Sequence, residues 1–195
     1  SIADFYFLCV NDDSIALLSE QLSKYLPNNK IVMHTSGSRG KNEINDYFIN
    51  SANFYPLQTL TKSNGQDWQN IPIFIEANEE SFSKISGLAK LLSSKIYKIN
   101  DEVRIAIHVA AVFVNNFTNA NFIIAKEVLN SKALNLDILM PLIRKSIESV
   151  QNKAPEELQT GPARRNDVET IHLHQLFLEK FSKEVQDVYR SNTNF

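Results

Sequence analysis

The sequence predicts an α/β unit followed by an all-α unit, and three observations carry that prediction. Short apolar runs alternate with amphipathic stretches over the first hundred residues, and after Asn100 the strand pattern does not return. The chain has 195 residues, 43% of them apolar, which is enough to bury a real core. Five glycines and six prolines exclude a collagen-like or linker-dominated chain.

The elements follow in order. Residues 5–10 (FYFLCV) read as a buried strand, which makes Cys9 a small core residue. Residues 12–26 place Ile15, Leu18, Leu22 and Leu26 at helical spacing, and residues 30–34 (KIVMH) form a second strand. Strands are expected at 53–57 and 71–76, with Asn64-Gly65 turning between them. A helix over 81–92 carries Phe82, Ile85, Leu88 and Leu92 on one side, and 95–99 is the last strand. This alternation implies a largely parallel sheet over residues 1–100. Residues 101–195 read as helices: a long one over 101–131, and a second over 137–151 with Pro141 near its first turn, where proline is tolerated. After a Pro/Gly-containing loop at 153–165, Asn166 offers an N-cap with Glu169 three residues on, opening helices at 168–180 and 182–190.

Charge and cysteine usage narrow the function classes. A net charge of −2 argues against nucleic-acid binding and against a basic membrane-surface protein. A lone cysteine cannot form an internal disulfide, which together with the lack of a visible signal peptide points to the cytoplasm. Residues 105–125 are long enough to cross a bilayer, but His108, Asn115, Asn116, Thr118, Asn119 and Asn121 are costly in hydrocarbon. A helix buried in a soluble protein is therefore expected there. His172 and His174 fall on different helix faces, so no metal site is expected.

Ligands of open α/β sheets sit beyond the carboxyl ends of the strands. The first strand runs into Val10-Asn11-Asp12-Asp13, whose acids suit a helix start and repel a pyrophosphate, leaving ribose or amide contacts or a plain helix cap. The second ends in His34-Thr35-Ser36-Gly37-Ser38, small residues that let a ligand come close beside a titratable ring, or else a turn around a satisfied histidine. On the long helix Arg104, His108, Asn115 and Asn119 fall within roughly 60° of one another, a polar stripe about 22 Å long. Such a stripe borders a cleft or forms a network between helices. Residues 159–165 set Arg164 and Arg165 beside the Thr160-Gly161 turn, a pair suited to carboxylate or phosphate groups or simply to solvent.

The blocks FYFLCVNDDSI, VMHTSGS, FYPLQTLTK, HVAAVFVNNFTN and LQTGPARRND, in that order along almost the whole chain, resemble a bacterial Rossmann-like family of unknown function. That family looks related to pyrroline-5-carboxylate reductase, the deazaflavin-dependent NADP reductases and the β-hydroxyacid dehydrogenases. The resemblance implies part of an NADP-binding domain followed by a helical substrate and dimerisation domain of the 6-phosphogluconate-dehydrogenase C-terminal type. It further implies reduction of a small carbonyl or imine substrate by a homodimer. Relatives begin their long helix with a lysine and an asparagine one turn later; Arg104 and His108 hold that neighbourhood here, and His108 is the better proton donor because arginine stays charged. Arg104, Asn115 and Asn119 would orient substrate, with Gln58, Thr160, Gly161, Arg164 and Arg165 closing around it. Val10, Asn11, Asp12, His34, Thr35, Ser36 and Gly37 would line the cofactor. The relatives' G-x-G-x-x-G turn has no counterpart in this sequence, so a preceding βαβ portion of roughly 70–80 residues is expected before Ser1. The alternative is a non-catalytic dinucleotide sensor or dimeric scaffold of the same fold.

Overall fold

The computed structural model describes residues 3–60 and 67–194, which fall into two compact units, Ser1–Phe117 and Thr118–Phe195. The Asn64-Gly65 turn lies outside the described residues.

The first unit is built on five strands, β1 (Phe5–Leu8), β2 (Ile31–His34), β3 (Asn50–Pro56), β4 (Ile73–Ala77) and β5 (Ile96–Lys98), arranged in chain order. Pairings are parallel except β3–β4, which is antiparallel. Parallel neighbours need a crossover connection, and the described residues between β3 and β4 hold only a 3₁₀ turn at Trp68–Asn70. Alternation along each strand divides the core between the two sheet faces. On one face Ile31, Met33, Ala52, Phe54, Ile73 and Ile75 pack with Ile85 and Ala89 of α2 (Glu79–Ala89). On the other, Leu8 and Val32 meet Ile15 of α1 (Ile15–Ser23), with Ile44 and Phe48. All four residues of β2 are buried, as expected of a strand covered on both faces. Each helix that follows a strand needs its first N–H groups satisfied: Asn78 and Asn100 accept from Ser81 and Val103 and so start α2 and α3 (Asp101–Ala111). Cys9 departs from expectation. Strand β1 ends at Leu8, the last residue in register with β2, and the thiol is exposed.

The long helical stretch Asp101–Asn130 is present but is not regular: α3 passes through a π-helical turn, Val112–Phe117, into α4 (Thr118–Asn130). It is long and apolar enough to cross a membrane by length and composition alone. It is also not the buried helix the sequence suggests, since Val109, Phe113, Val114 and Ile123 are all exposed in the single chain. In α3 only Arg104 is fully buried.

The second unit continues with α5 (Met140–Val150), α6 (Pro155–Leu158), α7 (Val168–Leu178) and α8 (Lys183–Thr193). Pro141 sits in the first turn of α5, where its missing N–H costs nothing. The N-cap of α7 is Asp167, whose carboxylate accepts from the Thr170 N–H, and not Asn166, which adopts a left-handed φ of 53° one residue earlier. Helices α4, α7 and α8 enclose an apolar cavity of about 290 Å³, at whose edge His174 Nδ1 lies 2.7 Å from the Tyr189 hydroxyl.

Candidate functional site

The chemistry-bearing groups of the first unit gather where the loop after β2, the end of β3 and the helix α3 meet. Their placement begins with His34, paired across the sheet with Asn53 of β3. Both are fully buried. The His34 Nε2 lies 2.8 Å from the Gly40 carbonyl, and its Nδ1 faces the Ser36 N–H and the Asn53 amide, each at 3.3 Å. An imidazole that donates at Nε2 and accepts at Nδ1 is neutral. Burial pushes it below the usual histidine range, outweighing the Gly40 bond, and the Arg104 charge adds to the shift. Asn53 Nδ2 also donates to the carbonyls of Ser36 and Arg39, so the pair spans the loop like a buckle. His34 therefore shapes this loop from within; a ligand cannot reach it.

That arrangement has a pH signature. The unfolded chain protonates His34 near its ordinary value of about 6.5, whereas the folded chain resists. The stabilisation is therefore fully present above about pH 6.5 and is lost as pH falls through the lowered folded value. The melting temperature should drop between pH 7.5 and 5.5, and His34→Gln should flatten that slope while lowering its plateau. An unaltered slope in the variant would place the pH dependence elsewhere.

The same loop is tied at its outer side. The Ser36 hydroxyl accepts from the Ser38 and Arg39 N–H groups, and the Ser38 hydroxyl donates to Asp12. Partial burial raises the Asp12 carboxyl, but the Ser38 and Ser36 hydroxyls and the nearby Arg39 charge more than reverse this and hold it below the usual carboxylate range. Arg39 reaches Asp13 at 3.2 Å. Asp12, His34 and Ser36 are thus committed to the protein's own loop, while Val10 and Asn11 are exposed and Thr35 is half-buried.

Arg104 is 1% exposed and enters the site from beneath. It donates to the Gly37 carbonyl and to Asp101, and its Nε lies 3.6 Å from Glu76 Oε2 without a hydrogen bond. The sequence reading gives this guanidinium to the substrate; the structure spends it on joining the loop to α3 and β4, because all its faces are enclosed by protein.

One turn along α3, His108 is half-buried, with Nδ1 3.3 Å from the Tyr55 hydroxyl. Burial pushes the Tyr55 phenol up, with Arg104 opposing, so it remains protonated and can donate to His108. A neutral ring that accepts this bond carries its proton on Nε2. Gly37 closes the third side: a Cβ there would stand 2.5 Å from His108 Nδ1 and 2.8 Å from the Tyr55 ring. His108 and Tyr55 line an open cleft of about 760 Å³ with Gln58, Thr59, Phe74 and Asn115. Asn115, presented by the π-helical turn, donates to the Thr59 hydroxyl at 2.9 Å across the cleft mouth. π-Helical turns recur at functional sites because the extra residue re-aims side chains.

The structure so brings together His108, Asn115 and Gln58 in one cleft and shows that Tyr55 and Thr59 belong with them, while Asn53 stays fully buried against His34. Tyr55 lies inside the FYPLQT block, and its spacing of two from Asn53 on a strand was the available signal. Asn119 is exposed in the second unit, as are Thr160, Arg164 and Arg165. Gly161 takes φ +100°, which a side chain would strain, and Arg164 lines a separate cavity with Gln159 and Thr193. Among the described residues no group of three or more His, Cys, Asp or Glu could hold a metal.

The profile of a family described as a domain of unknown function, DUF2520, matches residues 71–194. The chain belongs to the DUF2520 family. None of the curated proteins matches it. Among solved structures, a Bacteroides fragilis protein provisionally described as an NADP oxidoreductase is 32% identical, over 98% of this chain and 74% of that one, with a TM-score of 0.91. An imine reductase from Myxococcus stipitatus in complex with NADP⁺ is 12% identical over 98% of this chain and 74% of its own, with a TM-score of 0.70. A reductive aminase from Aspergillus terreus, in complex with NADPH and ethyl levulinate, is 11% identical over 98% and 73%, with a TM-score of 0.68. This DUF2520 chain therefore has the fold of the Rossmann-like NADP oxidoreductases, as the sequence blocks imply.

Proposed function

We propose that this DUF2520 protein is an NADP-dependent oxidoreductase that reduces a small carbonyl or imine in the cleft at His108. The observation that carries the reading is the Tyr55–His108 pair at the wall of a largely apolar cleft, next to the carboxyl ends of parallel strands. The likeness to an NADP oxidoreductase supports the class of reaction, and the ligands of the more distant neighbours support NADP and a small substrate.

The residues present fit the ribose–nicotinamide half of a dinucleotide. Exposed Val10 and Asn11 and half-buried Thr35 present backbone and hydroxyl groups beyond β1 and β2. They do not fit its pyrophosphate, because Asp12 and Asp13 stand at the start of the following helix. NADPH, when bound, supplies the hydride. The chain's own part is to hold the carbonyl or imine against His108. In the protonated ring Nδ1–H donates to the Tyr55 oxygen, and Nε2 gives its proton to the substrate oxygen or nitrogen as negative charge develops there, leaving a neutral imidazole that regains its proton from solvent. Tyr55 fixes the ring's orientation at Nδ1, and Phe74 and Leu57 keep the surroundings dry.

We assign the exposed apolar side chains Val109, Phe113 and Phe117 to contact with a second copy, since contiguous apolar surface of this kind marks association. The free thiol of Cys9 suits the reducing cytoplasm.

His108→Ala tests the reading. With NADPH and a panel of ketones, keto acids and imines, turnover should fall about 10²–10⁴-fold, the usual worth of a general acid. Dinucleotide affinity measured by calorimetry should hold. Full turnover in the variant would remove His108 from the chemistry, and tight NADPH binding with no turnover of anything by the wild type would favour a sensor or scaffold.

A further inference from the structure

We infer that the cleft selects substrates that are uncharged around the reacting carbon and rejects carboxylates, an inference that rests on the reductase reading and specifies its substrate class. Among the described residues lining the cleft there is no Lys, Arg, Asp or Glu; the polar groups are amides, hydroxyls, Tyr55 and His108. Apolar surface, chiefly from Leu57, Phe74, Ile107, Val112 and Val114, makes up the rest. A carboxylate entering such a lining loses its water and gains no cation in return from these described residues.

The nearest guanidinium cannot supply one. Arg104 is sealed beneath the loop and already faces two carboxylates, Asp101 and Glu76, so that cluster carries one positive charge against two negative ones. His108 is committed at Nδ1 to Tyr55, and its other nitrogen is the one the reductase reading gives to the reacting atom. An amide-and-hydroxyl rim such as Gln58, Thr59 and Asn115 can still hydrogen-bond an ester, amide or hydroxyl substituent. Discrimination between a carboxylate and its neutral isostere is thus built from an unpaired charge, which is how sites reject a competitor of the same shape.

The test uses the full chain at pH 7.5 and two matched pairs. Cyclopentanecarboxamide and cyclopentanecarboxylate, neither of which is reduced, are titrated while following the His108 imidazole NMR signals, assigned by their loss in His108→Gln. Methyl pyruvate and pyruvate are compared as substrates with NADPH. The amide should bind at least tenfold more tightly than the carboxylate, and the ester should show at least a tenfold higher kcat/KM than the acid. Gln58→Arg, which places a cation at the rim, should reverse the binding preference. Equal or tighter carboxylate binding by the wild type overturns the inference, as does an absence of any His108 shift with either ligand. If the amide binds selectively while no ketone, keto acid, keto ester or imine is reduced, the selectivity stands and the reductase reading is what fails.

Discussion

Arg104→Met should lower the unfolding free energy by about 3–5 kcal/mol, the usual cost of removing one partner from a buried ion pair. The loss comes from what is left behind. Glu76 is 7% exposed, and its carboxylate would keep only the Lys41 N–H at 3.4 Å. The Gly37 carbonyl would lose its donor in the same stroke, so the loop after β2 should loosen with the pair. Urea unfolding followed by circular dichroism measures the change, and the double variant Arg104→Met, Glu76→Leu supplies the control. Replacing a whole buried pair by apolar residues is often neutral, so the double variant should recover most of the loss. A single variant that loses under about 1 kcal/mol would show that this pair does not hold the loop.

Gly37→Ala should cut turnover in the proposed reduction by roughly 100-fold, an effect on kcat with KM little changed. No unusual backbone angle is involved. The new Cβ would meet His108 Nδ1 at 2.5 Å and the Tyr55 ring at 2.8 and 2.9 Å, and neither ring is the free end of a flexible chain. Overpacking of this kind typically costs about 1–3 kcal/mol, and pushing the two rings apart relieves it. Displacing a proton donor by about an ångström is enough for a hundredfold loss. Steady-state kinetics with the thermal midpoint measured alongside checks both halves. A fully active variant would mean that the Tyr55–His108 contact does not matter to the chemistry.

Much of this architecture is legible in the residues. Apolar runs such as IVMH locate β2 because a strand covered on both faces has no polar alternation to lose. The i, i+3, i+7 spacing of Ile15, Leu18 and Leu22 locates α1 for the same reason on one side only. His108, Asn115 and Gln58 are legible as polar groups in apolar company, and the cleft joins them. What periodicity cannot supply is pairing across distance. The role of His34 depends on Asn53, nineteen residues away, facing it in the sheet register. Arg104 looks like a ligand contact until Glu76 on β4 is seen to enclose it. The helical wheel also assumes about 100° per residue, and the π-helical turn breaks that count between His108 and Asn119 by one residue. The antiparallel step from β3 to β4 escapes for a related reason, since strand direction is set by the connection and not by strand composition.

The hydrogen bond between Asn115 and Thr59 at the cleft mouth, both exposed, contrasts with the wedge of Gly37 against His108 and Tyr55 below it. Substitutions at exposed positions usually change stability by under about 0.5 kcal/mol, whereas the wedge tolerates not even a methyl group. Diversification of substrate range, by natural drift or in a mutant library, therefore has an inexpensive route through positions 58, 59 and 115 and a closed one through 37. Homologues of this chain can be expected to differ in what they accept long before they differ in how they hand over a proton.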